Sequence, residues 1–282
     1  MRFTMKNSSK FYFIVSILFL CSIVYPQDKV ELFPYDLNIK PFTANTLEPN
    51  LGSMFKINSN ELILNIGNSM DMVHYRNGNE SISFGADLFT WTLLRKEDNF
   101  RFPVDAVDYL FGLNFSYKQT NIYNAYGLRG RISHISAHFA DGHYDAANQQ
   151  WRNYINPSVY SREFVELIPF YEFDDLRVYG GFTYLFHVIP SIIHKDNYQI
   201  GFDYYVKNYV DEKIVPFVGY NLNIDHIDKY TGNNSFVVGL KFGKPNGRGL
   251  SLQYRYYSGN SLHGEYYNYF EKYSSVGLNL DL

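Results

Sequence analysis

The sequence predicts an all-β fold, an antiparallel transmembrane β-barrel of about twelve strands. The first observation behind this is alternation. Tyr109, Phe111, Leu113, Phe115 and Tyr117 interleave with Leu110, Gly112, Asn114, Ser116 and Lys118. Leu250, Leu252, Tyr254 and Tyr256 interleave with Ser251, Gln253, Arg255 and Tyr257, and Val276, Leu278, Leu280 and Leu282 with Gly277, Asn279 and Asp281. Strict period two puts one residue set on each face of a strand. An apolar face some ten residues long is how a barrel meets lipid. The second observation is aromatic content: 19% of the chain, with 27 Tyr and 24 Phe. Tyrosine collects at membrane–water interfaces, and barrels carry aromatic girdles there. The third is the N-terminus. Arg2, Lys6 and Lys10 precede an apolar run from Phe11 to Tyr25, the pattern of a secretory leader. That run is short for a spanning helix, which needs about 20 residues.

Taken in chain order, residues 1–27 read as a signal peptide cleaved near Val24–Gln27. A lipoprotein leader using Cys21 fits poorly, because Phe19 and Leu20 stand where small residues belong. Cleavage removes the only cysteine, so no thiol chemistry follows. It also removes three basic residues and deepens the formal net charge of −3. A mildly acidic chain with scattered cations is a poor nucleic-acid binder. Residues 28–48, with Pro34 and Pro41, read as an irregular periplasmic lead-in or a plug. The barrel then occupies 49–282. Its strands fall at about 49–57, 60–70, 80–95, 107–119, 123–139, 159–173, 175–188, 197–208, 213–225, 234–244, 248–258 and 272–282.

Loop lengths support the assignment. With a periplasmic N-terminus, even-to-odd connections must be short turns and odd-to-even ones the longer outer loops. Asp174–Asp175 and Lys244-Pro245-Asn246-Gly247 are tight; 96–106, 140–158, 189–196, 226–233 and 259–271 are long. A soluble β-sandwich has no reason to sort its loops in this way. Parity then assigns faces. Ile200, Phe202, Tyr204 and Val206, then Val218, Tyr220 and Leu222, then Phe236, Val238, Leu240 and Phe242 face lipid. Gln199, Asp203, Lys207, Asn221, Asn223 and Lys241 face the lumen, and Arg129, Arg131, Arg177, Arg255, Glu166 and Asp203 form an interior polar network. Such a network implies low conductance.

One stretch can carry chemistry. With Arg129 and Arg131 inward, Leu128, Ile132, His134, Ser136 and His138 point outward, at the upper end of an outward-running strand. Polar residues stand there at headgroup height, where aromatics are expected. His and Ser two apart on one strand face are neighbours. An oriented imidazole takes the proton of a serine in serine hydrolases. The next strand places Ser161 and Glu163 on the same surface, and Glu163 or Asn156 is the candidate to orient His134. His138, Asp141 and His143 have the chemistry of cation ligands, but read more simply as solvated loop residues, as do Asp225, His226 and Asp228. Nothing points to a cofactor or metal ion, or sets an oligomeric state.

His134-Ile135-Ser136 resembles the His-x-Ser motif of two outer-membrane lipid hydrolases, outer-membrane phospholipase A and lipid A deacylase. Both are barrels with catalytic residues on the outer wall. In the phospholipase the motif continues Ser-Asn-Gly, whereas Ala137 follows the serine here, so the calcium and oxyanion assignments of that family do not carry over. A second resemblance covers most of the chain. His134 to Asp141, Ser161-Arg162-Glu163, Tyr179-Gly180-Gly181, Tyr257-Ser258-Gly259 and His263-Gly264 are similar to an uncharacterised outer-membrane barrel family, a domain of unknown function. It implies architecture and no activity. The expectation is therefore a barrel of the bacterial outer membrane with outer-membrane lipid as partner, acting as a lipid acyl hydrolase through His134 and Ser136. The alternatives are a non-enzymatic rim that binds lipopolysaccharide or a surface partner, and a narrow small-solute pore.

Overall fold

A computed structural model describes residues 28–138, 140–206, 213–244 and 247–282. The expected leader over 1–27 and the lumen assignment of Lys207 lie outside the described residues. The strands, in order, are β1 (Asp28–Leu32), β2 (Leu51–Lys56), β3 (Glu61–Asn77), β4 (Glu80–Arg95), β5 (Val104–Thr120), β6 (Asn124–His138) and the short pair β7 (Tyr144–Asp145) and β8 (Gln150–Trp151). They continue with β9 (Ser161–Phe173), β10 (Leu176–Ile189), β11 (Asp196–Tyr205), β12 (Ile214–His226), β13 (Tyr230–Gly243), β14 (Gly249–Asn260) and β15 (Phe270–Asp281).

Twelve of these close into an antiparallel barrel, each paired with its neighbour and β15 paired back onto β2. Closure leaves no free edge, which lets every backbone group of the wall find a partner. Burial alternates as parity requires. Leu88, Phe111, Ile132, Ile200 and Leu252 are exposed on the outer wall, while Asp87, Leu110, Arg131, Asp203 and Ser251 are buried. Several connections are shorter than expected. The β12–β13 hairpin runs on to His226 and Tyr230, so only 227–229 are loop. At the opposite end β3 runs on to Asn77, so only 78–79 join it to β4.

The stretch expected to be irregular starts as a strand. β1 pairs with the lower half of β3, Asp28 opposite Asn77 and Leu32 opposite Val73. β2 pairs with its upper half, from Gly52 opposite Asn65 to Phe55 opposite Leu62. The two share one strand position in the wall. Between them the chain leaves the sheet at Phe33, whose φ is 49°, and runs through the lumen. Ile39, Phe42, Ala44, Asn45 and Glu48 are all buried there. Gly219 packs beside it: a Cβ there would stand 3.1 Å from Asp203 Oδ1 and in ordinary contact, at 3.4 Å, with Ala44 Cβ and Thr43 Cβ.

This inner segment partners the charges of the wall. Arg177 donates to Lys40 O at 2.9 Å, to Pro41 O at 2.7 Å and through Nε to Asp203 Oδ2 at 3.0 Å. Thr43 N donates to Asp203 Oδ1 at 3.1 Å. Arg129 is paired with Glu48, and Arg131 Nη1 donates to Leu47 O at 3.1 Å while its Nε lies 2.7 Å from Glu166 Oε1. The Phe42 ring lies beneath both Arg129 and Arg177, whose guanidinium carbons are 4.7 and 4.5 Å from its centroid. A desolvated cation–π contact contributes about 2 kcal/mol. Nearer the long-loop end the lumen is apolar, filled by Phe89, Trp91, Leu110, Ile135, Phe164 and Leu185.

The loops at that end fold inward over the lumen. His263 donates to Asp108 Oδ2 at 3.0 Å, Gly264 N to Asp108 Oδ1 at 2.8 Å, and Tyr266 OH to Asp105 O at 3.0 Å. His143 is not a solvated loop residue, because it is buried, donates to Ile155 O at 3.0 Å and stacks on Trp151. Asp225 and His226 lie in β12, and Asp225 accepts from Asn223 and Asn233, each at 2.6 Å. Glu265 is buried, and among the described residues neither of its carboxylate oxygens meets a hydrogen-bond donor within bonding distance. Burial and the neighbouring Asp108 push its carboxyl up to about 8.

Three outcomes follow from this packing. Arg177→Leu leaves Asp203 with Thr43 N as its remaining direct partner, so it should lower stability in urea titrations with lipid vesicles by about 3–5 kcal/mol. Arg131→Leu should cost less, because Glu166 keeps Arg129 at 3.7 Å. Glu265 is protonated in the native state up to pH of about 8 and ionises near 4.5 when unfolded, so its contribution falls as pH rises from 4.5 to 8. In Glu265→Gln that part of the pH dependence of unfolding should vanish. In planar bilayers the intact protein should pass almost no current, and a variant lacking residues 28–48 should conduct.

Candidate active site

The outward residues of β6, β9 and β10 meet in one cross-strand row. Phe111, His134, Glu163 and His187 are successive register partners on β5, β6, β9 and β10. One pleat nearer the long loops the row reads Tyr109, Ser136, Ser161 and Ile189. Directly opposed side chains on one sheet face stand about 5 Å apart at Cβ, close enough for direct contact. His134 Nδ1 accordingly donates to Glu163 Oε1 at 2.6 Å. The two side chains are 26% and 27% exposed, so the pair sits half-covered on the outer wall. Glu163 Oε2 is taken by Nδ1 of His187, and one carboxylate thereby spans two imidazoles. The His134 ring tilts against Phe111 with centroids 4.9 Å apart.

Ser136 lies on the same face, but its hydrogen bond runs to His138, Oγ to Nε2 at 3.0 Å. His138 in turn meets the Tyr109 ring edge-on at 5.1 Å. The structure thus joins His134 to Glu163, and Ser136 to His138. Asn156 is exposed in the 139–160 connection, and the orienting partner of His134 is Glu163. Nδ1 of His134 is the nitrogen engaged by the carboxylate, which leaves Nε2 as the nitrogen that can exchange a proton. That is the arrangement an imidazole base requires. Among the described residues, no group of three or more His, Cys, Asp or Glu side chains is placed to hold a metal ion.

Residues 106–281 match the family described as "Protein of unknown function (DUF1207)". The chain belongs to that family. Among solved structures this DUF1207 member is similar to outer membrane phospholipase A from Escherichia coli, with a TM-score of 0.56 and 14% identity over 86% of this chain and 93% of that one. It is also similar to the Salmonella typhi outer membrane phospholipase dimer with bound calcium, with a TM-score of 0.55 and 15% identity over 87% and 94% of the two chains. At such identity the likeness is one of fold. No curated protein matches the chain.

His187 is the member of the DUF1207 row that period two hides. Leu185 points into the lumen, so strict alternation would send His187 inward as well. A β-bulge between Leu185 and His187 inserts Phe186 and turns both Phe186 and His187 to the outer wall. No turn residue or glycine at that point announces the bulge. His138 was legible as outward, but its role as the partner of Ser136 depends on rotamers that no sequence pattern specifies.

Proposed function

We propose that this protein is an outer-membrane lipid acyl hydrolase acting on the lipid that surrounds its barrel. The observation that carries this is the His134–Glu163 pair, which stands on the lipid-facing wall two residues from Ser136 and presents a free Nε2. In this reading Ser136 Oγ attacks the ester carbonyl as Nε2 of His134 takes its proton. The imidazolium then protonates the leaving alkoxide, and water releases the fatty acid from the acyl-enzyme by the same exchange. Glu163 keeps Nδ1 protonated and the ring in place. This reading requires Ser136 to rotate about its Cα–Cβ bond from His138 to His134. The phospholipase-like fold and the His-x-Ser match support a lipid substrate; site geometry, not fold, supports the chemistry.

A second reading rests on the Ser136–His138 hydrogen bond. If that bond is the working state, the row is a polar rim that binds phosphate-bearing headgroups and cleaves nothing. Fatty-acid release from mixed micelles of outer-membrane lipid separates the two. In the hydrolase, Ser136→Ala and His134→Ala each lower turnover by about four orders of magnitude or more. Glu163→Gln lowers it less and His138→Ala least, while barrel stability stays within about 0.5 kcal/mol for the serine change. Wild-type protein that releases no fatty acid, or a Ser136→Ala protein as active as wild type, overturns the hydrolase reading.

A further inference from the structure

The lumen is closed by the inner segment, yet above it a cavity opens toward the long loops. Its volume is about 60 Å³. Thr46 and Leu47 of the inner segment form its floor, and Tyr160 and Tyr267 one aromatic wall. Its lining also carries the polar side chains of Asn223, Asp225 and Asn233. Tyr160 and Tyr267 stack on each other with centroids 5.9 Å apart, which makes that wall rigid.

Two opposite charges face this space without meeting. The Arg162 guanidinium lies 5.7 Å from the ring centroids of both Tyr160 and Phe164, and its Nε is buried without a hydrogen-bond partner. This contrasts with Arg129, Arg131 and Arg177, each of which is paired to a carboxylate. Asp225 also lines the cavity and is fixed by its bonds from Asn223 and Asn233, one to each oxygen. A carboxylate accepts about four hydrogen bonds, so each oxygen keeps capacity for another donor. A cation with no carboxylate partner among the described residues and an anchored carboxylate, lining one cavity with aromatic side chains, are complementary to a molecule with both charges and an apolar part.

We propose that this cavity binds a free α-amino acid. Its carboxylate meets Arg162, whose planar fork suits bidentate contact. Its ammonium meets Asp225, and its side chain lies against Tyr160 and Tyr267. The inner segment makes the site a dead-end cup: the ligand enters and leaves on the long-loop side. The site shares no side chain with the outward His134 row and stands independently of the proposed hydrolysis.

The test is calorimetric titration of the full refolded protein with L-phenylalanine, L-alanine, 3-phenylpropanoate and 2-phenylethylamine. Saturable binding of at least one amino acid is expected. The two singly charged phenyl compounds should bind about tenfold or more weakly than L-phenylalanine if that is the amino acid bound. Arg162→Gln and Asp225→Asn should each weaken amino-acid binding by a similar factor of about ten or more. No saturable binding of either amino acid at millimolar concentration overturns the proposal. So does equal binding of a singly charged compound, or binding unchanged in Arg162→Gln. Should Asp225→Asn fail to fold, because Asp225 anchors two asparagines, the compound series on wild-type protein decides alone.

Discussion

The structure depends on how lumen charge is neutralised. The wall pairs some of its own charges, Arg131 with Glu166 and Arg177 with Asp203, and leaves further donors and acceptors pointing into the space between. The chain solves this by running its N-terminal segment through the middle. Arg177 spends two donors on the backbone carbonyls of Lys40 and Pro41, Asp203 accepts the Thr43 amide, and Glu48 meets Arg129. Phe42 occupies the space beneath two guanidinium groups. Removing one charge from water costs several kcal/mol unless its partners are excellent. These partners come from a segment tens of residues distant, so wall and filling are one cooperative unit.

One sheet presents different groups on its two faces, separated only by its thickness. On β9, Arg162 faces the cavity and the next residue, Glu163, faces outward to His134 and His187. On β6, Ile135 is buried in the lumen and Ser136 stands on the outer wall. Because period two is strict here, a change at one residue perturbs one face. The two sites can therefore diverge separately, although their residues adjoin in sequence.

The wall was legible because its physics is local. Alternation, loop length and inward charge appear in any short window, and the twelve barrel strands and the facing of Arg131, Asp203 and Lys241 follow from them. What escaped depended on partners distant in sequence. Residues 28–32 look irregular beside Pro34 and become a strand only because β3 offers an unpaired lower half. Glu48 gives no local sign of being an internal counter-ion, and His143 and Asp225 look solvated until the loops fold inward over them. The candidate site was half legible. Parity placed His134, Ser136 and Glu163 on one face, but the bulge that brings His187 to Glu163 and the choice of Glu163 over Asn156 are tertiary facts.

The strand position shared by β1 and β2 bears on how the molecule is assembled. The inner segment is tethered to the wall at both ends, by β1 below and β2 above, and β2 is the strand on which C-terminal β15 closes the ring. Wall and interior therefore meet at one seam, because the segment that fills the lumen runs directly into the strand on which β15 closes the ring.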